Sequence, residues 1–209
     1  VAQYFEMHLQ NPQARLIRQA AEIVRGGGVI VYPTDSCYAL GCRLGDRQAA
    51  SRIRRIRGID DDHLLTLVCR DLAELARYAR VNNQQFRLLK AATPGSYTFI
   101  LEATREVPRR LHHPKRNTIG LRVPDHPVVK ALLAELGEPL LSSTLLLPGD
   151  DLPMNDPGQI RARLERQVDL VIDGGPCGVE MTTVLDLTDE APRVVREGKG
   201  PLDILGIAP

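Results

Sequence analysis

Tryptophan is absent from the 209 residues, and there are only three phenylalanines and five tyrosines. Proteins that hold single-stranded nucleic acid do so largely by stacking bases on aromatic rings. This chain cannot rely on that device, and it has no RRM or KH pattern. Its four cysteines, Cys37, Cys42, Cys69 and Cys177, form no C-x-x-C pair, which excludes a zinc ribbon or a disulfide framework. Cys37 and Cys42 read as small packing residues, and no metal site is expected. No apolar run approaches the roughly 20 residues of a membrane-crossing helix. Val1–Gln10 shows no basic-then-apolar signal pattern. A cytoplasmic protein without a membrane partner is the expectation. Lysine is also scarce, since 23 of the 27 basic residues are arginine. Arginine suits planar, bidentate contact with phosphate or carboxylate.

What is present fits one soluble domain over residues 1–209, with 43% hydrophobic and 25% charged residues. No repeat, linker or low-complexity segment interrupts it. The net charge of +1 conceals an asymmetry. Residues 1–120 hold 19 Lys and Arg against 11 Asp and Glu, a balance of +8, and residues 121–209 hold 8 against 15, a balance of −7. The basic half either attracts a polyanion or pairs internally with the acidic half. His8, His112 and His113 read as surface residues, and no histidine pairs with a cysteine in a nucleophile pattern.

Helix and strand signals alternate along the chain. Asn11-Pro12 suggests a helix start, and Gly26-Gly27-Gly28 ends that helix before the strand Val29–Tyr32. The three glycines precede a strand, so they read as a helix terminus and not as a phosphate loop. Asp46, Asp71, either Asn82 or Asn83, and Asp156 are placed to cap helices running to about Arg57, Tyr78, Ala91 and Arg166, and Pro127 opens another to Leu136. Strands are expected at His63–Cys69, Tyr97–Leu101, Thr118–Val123, Leu140–Ser143, Val168–Ile172, Thr183–Leu187 and Arg193–Arg196. Strict βαβ units do not emerge. The pattern predicts an α/β fold with a twisted, mixed parallel and antiparallel sheet and flanking helices. Leu147–Asn155 is the strongest candidate for a mobile loop.

The segment Pro33-Thr34-Asp35-Ser36-Cys37-Tyr38-Ala39-Leu40-Gly41 carries the most information. It delivers hydroxyls and a carboxylate to the end of a buried strand, where open α/β sheets bind ligands. It resembles the P-T-D/E-T-x-Y-G-L-G signature of the YrdC/YciO family. Four further stretches follow in that family's order: Pro94–Leu101, Thr118–Pro127, Thr182-Thr183-Val184-Leu185-Asp186 and Val195-Arg196-Glu197-Gly198. They are similar to P-G-P-Y-T-F-I-L, T-V-G-V-R-V-P-D-H-P, S-T-V-V-D and L-R-E-G, and the YciO branch is the nearer likeness.

The resemblance implies a single-domain YrdC-like fold with a concave basic groove, and L-threonylcarbamoyladenylate synthase chemistry. In that reaction ATP, L-threonine and bicarbonate give threonylcarbamoyl-AMP and pyrophosphate for tRNA modification, with Mg2+ carried by the nucleotide. It places Ser36, Arg122 and Thr182 at threonine-contacting positions and Thr118 and Arg196 at nucleotide-contacting ones. A groove lined by Ser36, Tyr38, Arg122, Thr144, Thr182 and Arg196 follows. Each has a plainer alternative: Ser36 and Thr182 as turn caps, Arg122 in an ion pair across the sheet, and Arg196 paired with Glu197 on the surface.

The chain departs from the synthases at two motifs. The K-x-R of K-G-R-P becomes Arg57-Gly58-Ile59, and the S-x-N of T-S-A-N becomes Thr144-Leu145-Leu146. The following N-P-L becomes His63-Leu64-Leu65, and a family histidine becomes Val68. Arg57 and Thr144 are thus the candidate catalytic residues of a weakened site. Asp60-Asp61-Asp62 reads as a solvated acidic turn, or as negative charge that repels ATP or helps hold Mg2+. Two other readings use the same groove. One is nucleotide or double-stranded RNA binding without synthase activity, through Arg52, Arg54, Arg55, Arg109, Arg110, Lys115 and Arg116. The other is adenylation of a different acid. Oligomeric state is left open by the sequence.

Overall fold

The structure, a computed structural model, describes residues 1–207. Ten strands form one mixed sheet: β1 (Gln3–Glu6), β2 (Ile30–Tyr32), β3 (Ala39–Arg43), β4 (Thr66–Val68), β5 (Tyr97–Glu102), β6 (Thr118–Arg122), β7 (Leu140–Thr144), β8 (Leu170–Asp173), β9 (Thr183–Asp186) and β10 (Arg193–Arg196). Their spatial order is β1-β8-β2-β3-β7-β4-β6-β5-β9-β10. Parallel pairs (β1 with β8, β4 with β6) sit beside antiparallel ones (β3 with β7, β5 with β6). Six α-helices flank the sheet: α1 (Ala14–Arg25), α2 (Arg47–Arg57), α3 (Leu72–Tyr78), α4 (Asn83–Ala92), α5 (Pro127–Leu136) and α6 (Pro157–Leu164).

Local chemistry explains most helix starts. Asp46, Asp71 and Asp156 each accept the backbone N–H three residues on, and Asn82 and Gln85 exchange bonds in a capping box. α1 begins two residues later than Asn11-Pro12 suggests, because Gln13 turns its side chain back to accept from His8 N. β1 and β3 carry no clear strand signal. β1 is held by parallel pairing with β8, about 170 residues away in sequence, and β3 by antiparallel pairing with β2 and β7. The loop Leu147–Asn155 is fastened by the Asp150–Arg163 ion pair and by Met154 N donating to Leu145 O.

Alternation along the strands makes two apolar layers. Ile30, Tyr32, Leu140, Leu170 and Ile172 pack with α1 and α5. Their neighbours Val31, Leu141 and Val171 face the other way and join Leu67, Phe99, Leu101, Ile119, Leu121 and Leu185 under α2, α3, α4 and α6. On the first face α1 and α5 cover one half of the sheet. On the other half, Thr66, Thr98, Ile100, Thr118, Gly120 and Val184 of β4, β5, β6 and β9 line an open cavity instead of meeting a helix. That uncovered half-face is where the sheet is free to bind something.

Candidate functional site

The cavity on this half-face has a volume of about 510 Å³. Its walls include Arg57, Arg116, Arg196, His63 and His113, and among the described residues no Asp or Glu lines it. Leu65, Ile100, Ile119, Leu146, Met181 and Val184 give it an apolar floor. Positive walls over a greasy floor suit an anion attached to a flat or apolar group.

Arg57 is the last residue of α2. Gly58 ends the helix at φ 65°, in the left-handed region that glycine enters without penalty. A Cβ there would come within 2.7 Å of Pro148, so the glycine lets Arg57 lie close against the loop after β7. Arg57 Nε donates to Leu146 O at 3.0 Å and Nη1 to Ser143 Oγ at 2.7 Å. Arg196 is positioned similarly. A register shift in β10 swings it toward the start of β9, where Nε and Nη2 donate to Thr182 O at 3.0 and 2.9 Å. Nη2 also reaches Thr182 Oγ1 at 3.2 Å, and that hydroxyl bonds Thr98 Oγ1 at 2.7 Å. The expected alternative of an Arg196–Glu197 surface pair does not form among the described ion pairs. Burial lowers the pKa of both guanidiniums, and neither has a carboxylate partner. Each is a fixed, partly desolvated charge held only by neutral acceptors, which is how an anion site is built. Burial, then the nearby Arg57 charge, also lowers the pKa of His63.

Thr118 and Thr144 line the same cavity. Ser36 and Arg122 lie beside it. Thr118, Gly120 and Arg122 alternate onto one face of β6, and Arg122 Nη1 donates to Ser36 Oγ at 3.1 Å. The P-T-D-S turn is organised by Thr34, whose hydroxyl accepts from Ser36 N and Cys37 N and donates to Cys37 O at 2.6 Å. Asp35 then pairs with Arg122 and accepts from Asp125 N at 2.8 Å. Lys199 donates to the Asp35 carbonyl. Arg122 is therefore engaged by the chain's own carboxylate. A ligand carboxylate reaches it bidentately only by displacing Asp35.

Several sequence expectations need correction. Tyr38 does not line the cavity: it is fully buried on the opposite face, donating to Gly175 O at 2.6 Å and accepting from Gly174 N. His113, read as a surface residue, lines the cavity, and its Nδ1 accepts from Lys115 N and Arg116 N. Ile59, at the place of the lost family arginine, packs against the apolar core and is not among the lining residues. Asp60 is spent closing its own turn, accepting from Asp62 N and His63 N at 3.1 Å. Of the seven basic residues proposed for RNA, Arg52 is paired with Asp169 and Arg116 with Asp186. Arg54, Arg55, Arg109, Arg110 and Lys115 take part in none of the ion pairs among the described residues. Burial, and the like charges of Arg47 and Arg54, lower the Arg110 pKa against an opposing pull from Asp46, so Arg47, Arg54 and Arg110 stand near one another. Cys37 is not a nucleophile in waiting, because burial raises its thiol pKa despite Arg122, Lys199 and Arg196 nearby. No helix of the described residues is long and apolar enough to cross a membrane.

Comparison with known proteins agrees with this architecture. The chain is 60% identical to the uncharacterized protein YciO of Escherichia coli strain K12 over 200 residues, covering 96% of this chain and 97% of that one. The crystal structure of E. coli YciO superposes with a TM-score of 0.94 at 58% identity, covering 98% and 100% of the two chains. A threonylcarbamoyl-AMP synthase of Halorhodospira halophila is 31% identical over 168 residues, 80% of this chain and 87% of the synthase. P. abyssi Sua5, crystallised in complex with L-threonine, matches at a TM-score of 0.86 and 25% identity, over 97% of this chain and 59% of that one. The family model Sua5_yciO_yrdC, described as telomere recombination, matches residues 22–198. With that match, the ten-stranded mixed sheet and the P-T-D-S turn at its edge, the chain belongs to the Sua5/YciO/YrdC family, which includes the threonylcarbamoyl-AMP synthases.

Proposed function

We propose that this protein is a nucleotidyltransferase of the threonylcarbamoyl-AMP synthase kind, with a low intrinsic rate. The observation that carries the reading is the pair Arg57 and Arg196, two guanidiniums fixed on neutral acceptors around an apolar-floored cavity that no carboxylate lines. In this reading ATP, bringing its own Mg2+, lays its phosphates against Arg57 and Arg196, with Thr118 also in contact with the nucleotide. L-threonine and bicarbonate combine as N-carboxy-threonine. Its carboxylate oxygen bonds to the α-phosphorus as the α–β phosphoanhydride bond breaks, and pyrophosphate leaves. No covalent enzyme intermediate is needed, so the protein contributes position and charge. Ser36, Thr182 and Arg122 flank the presumed threonine end, and Thr144 stands where the family has a serine.

The low rate follows from Leu146, whose side chain lines the cavity where the synthases carry an amide. An asparagine offers two donors and an acceptor there. Leu146→Asn is expected to raise kcat about tenfold, the worth of roughly one hydrogen bond to a charged group, while KM for ATP moves less than about threefold. The measurement is pyrophosphate release with ATP, threonine and bicarbonate at high enzyme concentration. Full synthase activity in the unaltered chain would refute the weak-enzyme reading.

A second reading rests on Arg54, Arg55, Arg109, Arg110 and Lys115, which form no ion pair among the described residues, although Asp46 lies near Arg110. It is double-stranded RNA binding without synthesis. Duplex RNA is then expected to bind with little sequence preference, with affinity falling by close to one logarithmic unit per decade of salt for each phosphate neutralised. Arg110→Ala should flatten that slope. RNA affinity unchanged between low and high salt counts against this reading, and failure of millimolar ATP to bind in calorimetry counts for it.

A further inference from the structure

We propose that Arg116 is a third phosphate-binding guanidinium of the cavity, held in place by the buried carboxylate of Asp186, and that it supplies charge lost with the family arginine at position 59. The assignment rests on the nucleotide reading of this cavity. Neither residue belongs to the K-x-R or S-x-N motifs, and the sequence pointed Arg116 toward RNA.

The geometry leaves half of Arg116 free. Its Nη2 donates to Asp186 at 2.9 Å and to Thr188 Oγ1 at 2.6 Å. Among the described residues Nε and Nη1 have no partner, although the side chain lines the cavity and is 42% exposed. Nη2 is spent on Asp186 and Thr188, which leaves the Nε and Nη1 hydrogens each to donate singly to an anion oxygen. The anchor is itself fixed. Asp186 is 1% exposed and also accepts from Thr188 N and from Arg193 Nη2 at 3.1 Å. Burial pushes its carboxyl upward, but the Thr188 hydroxyl and amide and the Arg116 guanidinium more than reverse this, holding its pKa at about 2. Asp186 is shared by Arg116 and Arg193, whose Nη2 atoms both reach Asp186 Oδ2. The backbone before β6 is shaped to the same end. Asn117 adopts φ 54°, and His113 Nδ1 collects the N–H groups of Lys115 and Arg116. Arg116 and Arg57 line the same cavity, Arg57 held by Ser143 and Leu146 around β7 and Arg116 by Asp186 and Thr188 around β9. Arg116 and Thr118 also line an adjoining groove with Arg80, Asn82, Glu102 and Asp189, so Arg116 stands where the carboxylate-free cavity meets a groove of mixed charge. A polyphosphate tail or a departing pyrophosphate would meet it there.

Calorimetry with three probes tests this: ATP, AMP and inorganic pyrophosphate, each against the unaltered protein, Arg116→Ala, Arg116→Lys, Asp186→Asn and Arg193→Ala. Arg116→Ala is expected to weaken ATP and pyrophosphate binding about 10- to 100-fold, in line with the loss of a charge-assisted contact, and AMP binding much less. Arg116→Lys should do nearly the same, because a lysine has one nitrogen and Asp186 will take it. Asp186→Asn should lower pyrophosphate affinity while AMP binding holds, a split that general loosening of the fold would not give. Arg193→Ala, which shares Asp186 but does not line the cavity, should leave all three probes unchanged. ATP and pyrophosphate affinities unaffected by Arg116→Ala would overturn the proposal and leave the nucleotide reading standing. Pyrophosphate binding that depends on Arg116 without any ATP binding would keep the anion site and overturn the nucleotide reading. If neither probe binds the unaltered protein, both fall.

Discussion

Replacing Asp35 by alanine is expected to lower the midpoint of thermal unfolding by about 10 °C. The Asp35 and Arg122 side chains are only 11% and 9% exposed, and Arg122 Nε is already buried without a partner. Removing the carboxylate strands a guanidinium away from water. Breaking a buried ion pair in this one-sided way costs about 3–5 kcal/mol. For a chain of this length each kcal/mol moves the midpoint by about 2–4 °C. The Asp125 amide loses its acceptor as well. Two controls sharpen the result. The shift should persist in 1 M salt, because buried pairs are screened far less than exposed ones. Joint replacement, Asp35→Val with Arg122→Met, should recover much of the loss, because both charges leave together. A shift under about 2 °C for Asp35→Ala would mean that the pair is solvated in solution, and Arg122 would then be free to clamp a substrate carboxylate directly.

Arg57→Ala should behave in the opposite way, costing function and sparing the fold. Arg57 is half-buried, carries no counter-ion and is held by a carbonyl and a hydroxyl. Its desolvation is a charge against stability, so truncation should move the unfolding midpoint by only a few degrees. The cavity, however, loses one of its fixed cations. A charge-assisted phosphate contact is worth about 1.5–3 kcal/mol, so ATP affinity and pyrophosphate release should fall about 10- to 100-fold. Arg57→Lys restores the residue that the synthases carry here. It should keep most ATP binding, since a lysine serves a phosphate as a point charge. Both follow from calorimetry and initial-rate measurements on the same preparations. Equal loss in the alanine and lysine variants would show that the Leu146 and Ser143 contacts matter more than the charge. No loss in either would remove Arg57 from the site.

The local chemistry of the chain was legible early. Asp46, Asp71 and Asp156 cap helices where the sequence puts them, and of the two candidates Asn82 and Asn83 it is Asn82 that caps, since a cap is decided within three residues. The five motifs in order, and the run Val29–Tyr32 ending in Pro33-Thr34-Asp35-Ser36, indicated the family, the mixed sheet and the edge at which a site would form. β1 and β3 were not legible, because their stability comes from distant partners and not from their own residues.

Charge partners were the least legible part. Nothing in the sequence near Arg122 names Asp35, 87 residues away, as its counter-ion, and nothing near Arg116 names Asp186, 70 residues away. Spacing likewise put Tyr38 in the groove and His113 on the surface, where the fold does the reverse. The sequence by itself determined which elements form and which polar residues arrive at strand ends, because hydrophobic period, caps and turns act over a few residues. Only the tertiary structure decided which charges are neutralised and which stay free. Ion pairing depends on the order and register of strands far apart in the chain, and here that order leaves Arg57 and Arg196 without a carboxylate while Asp35 and Asp186 occupy Arg122 and the Nη2 of Arg116.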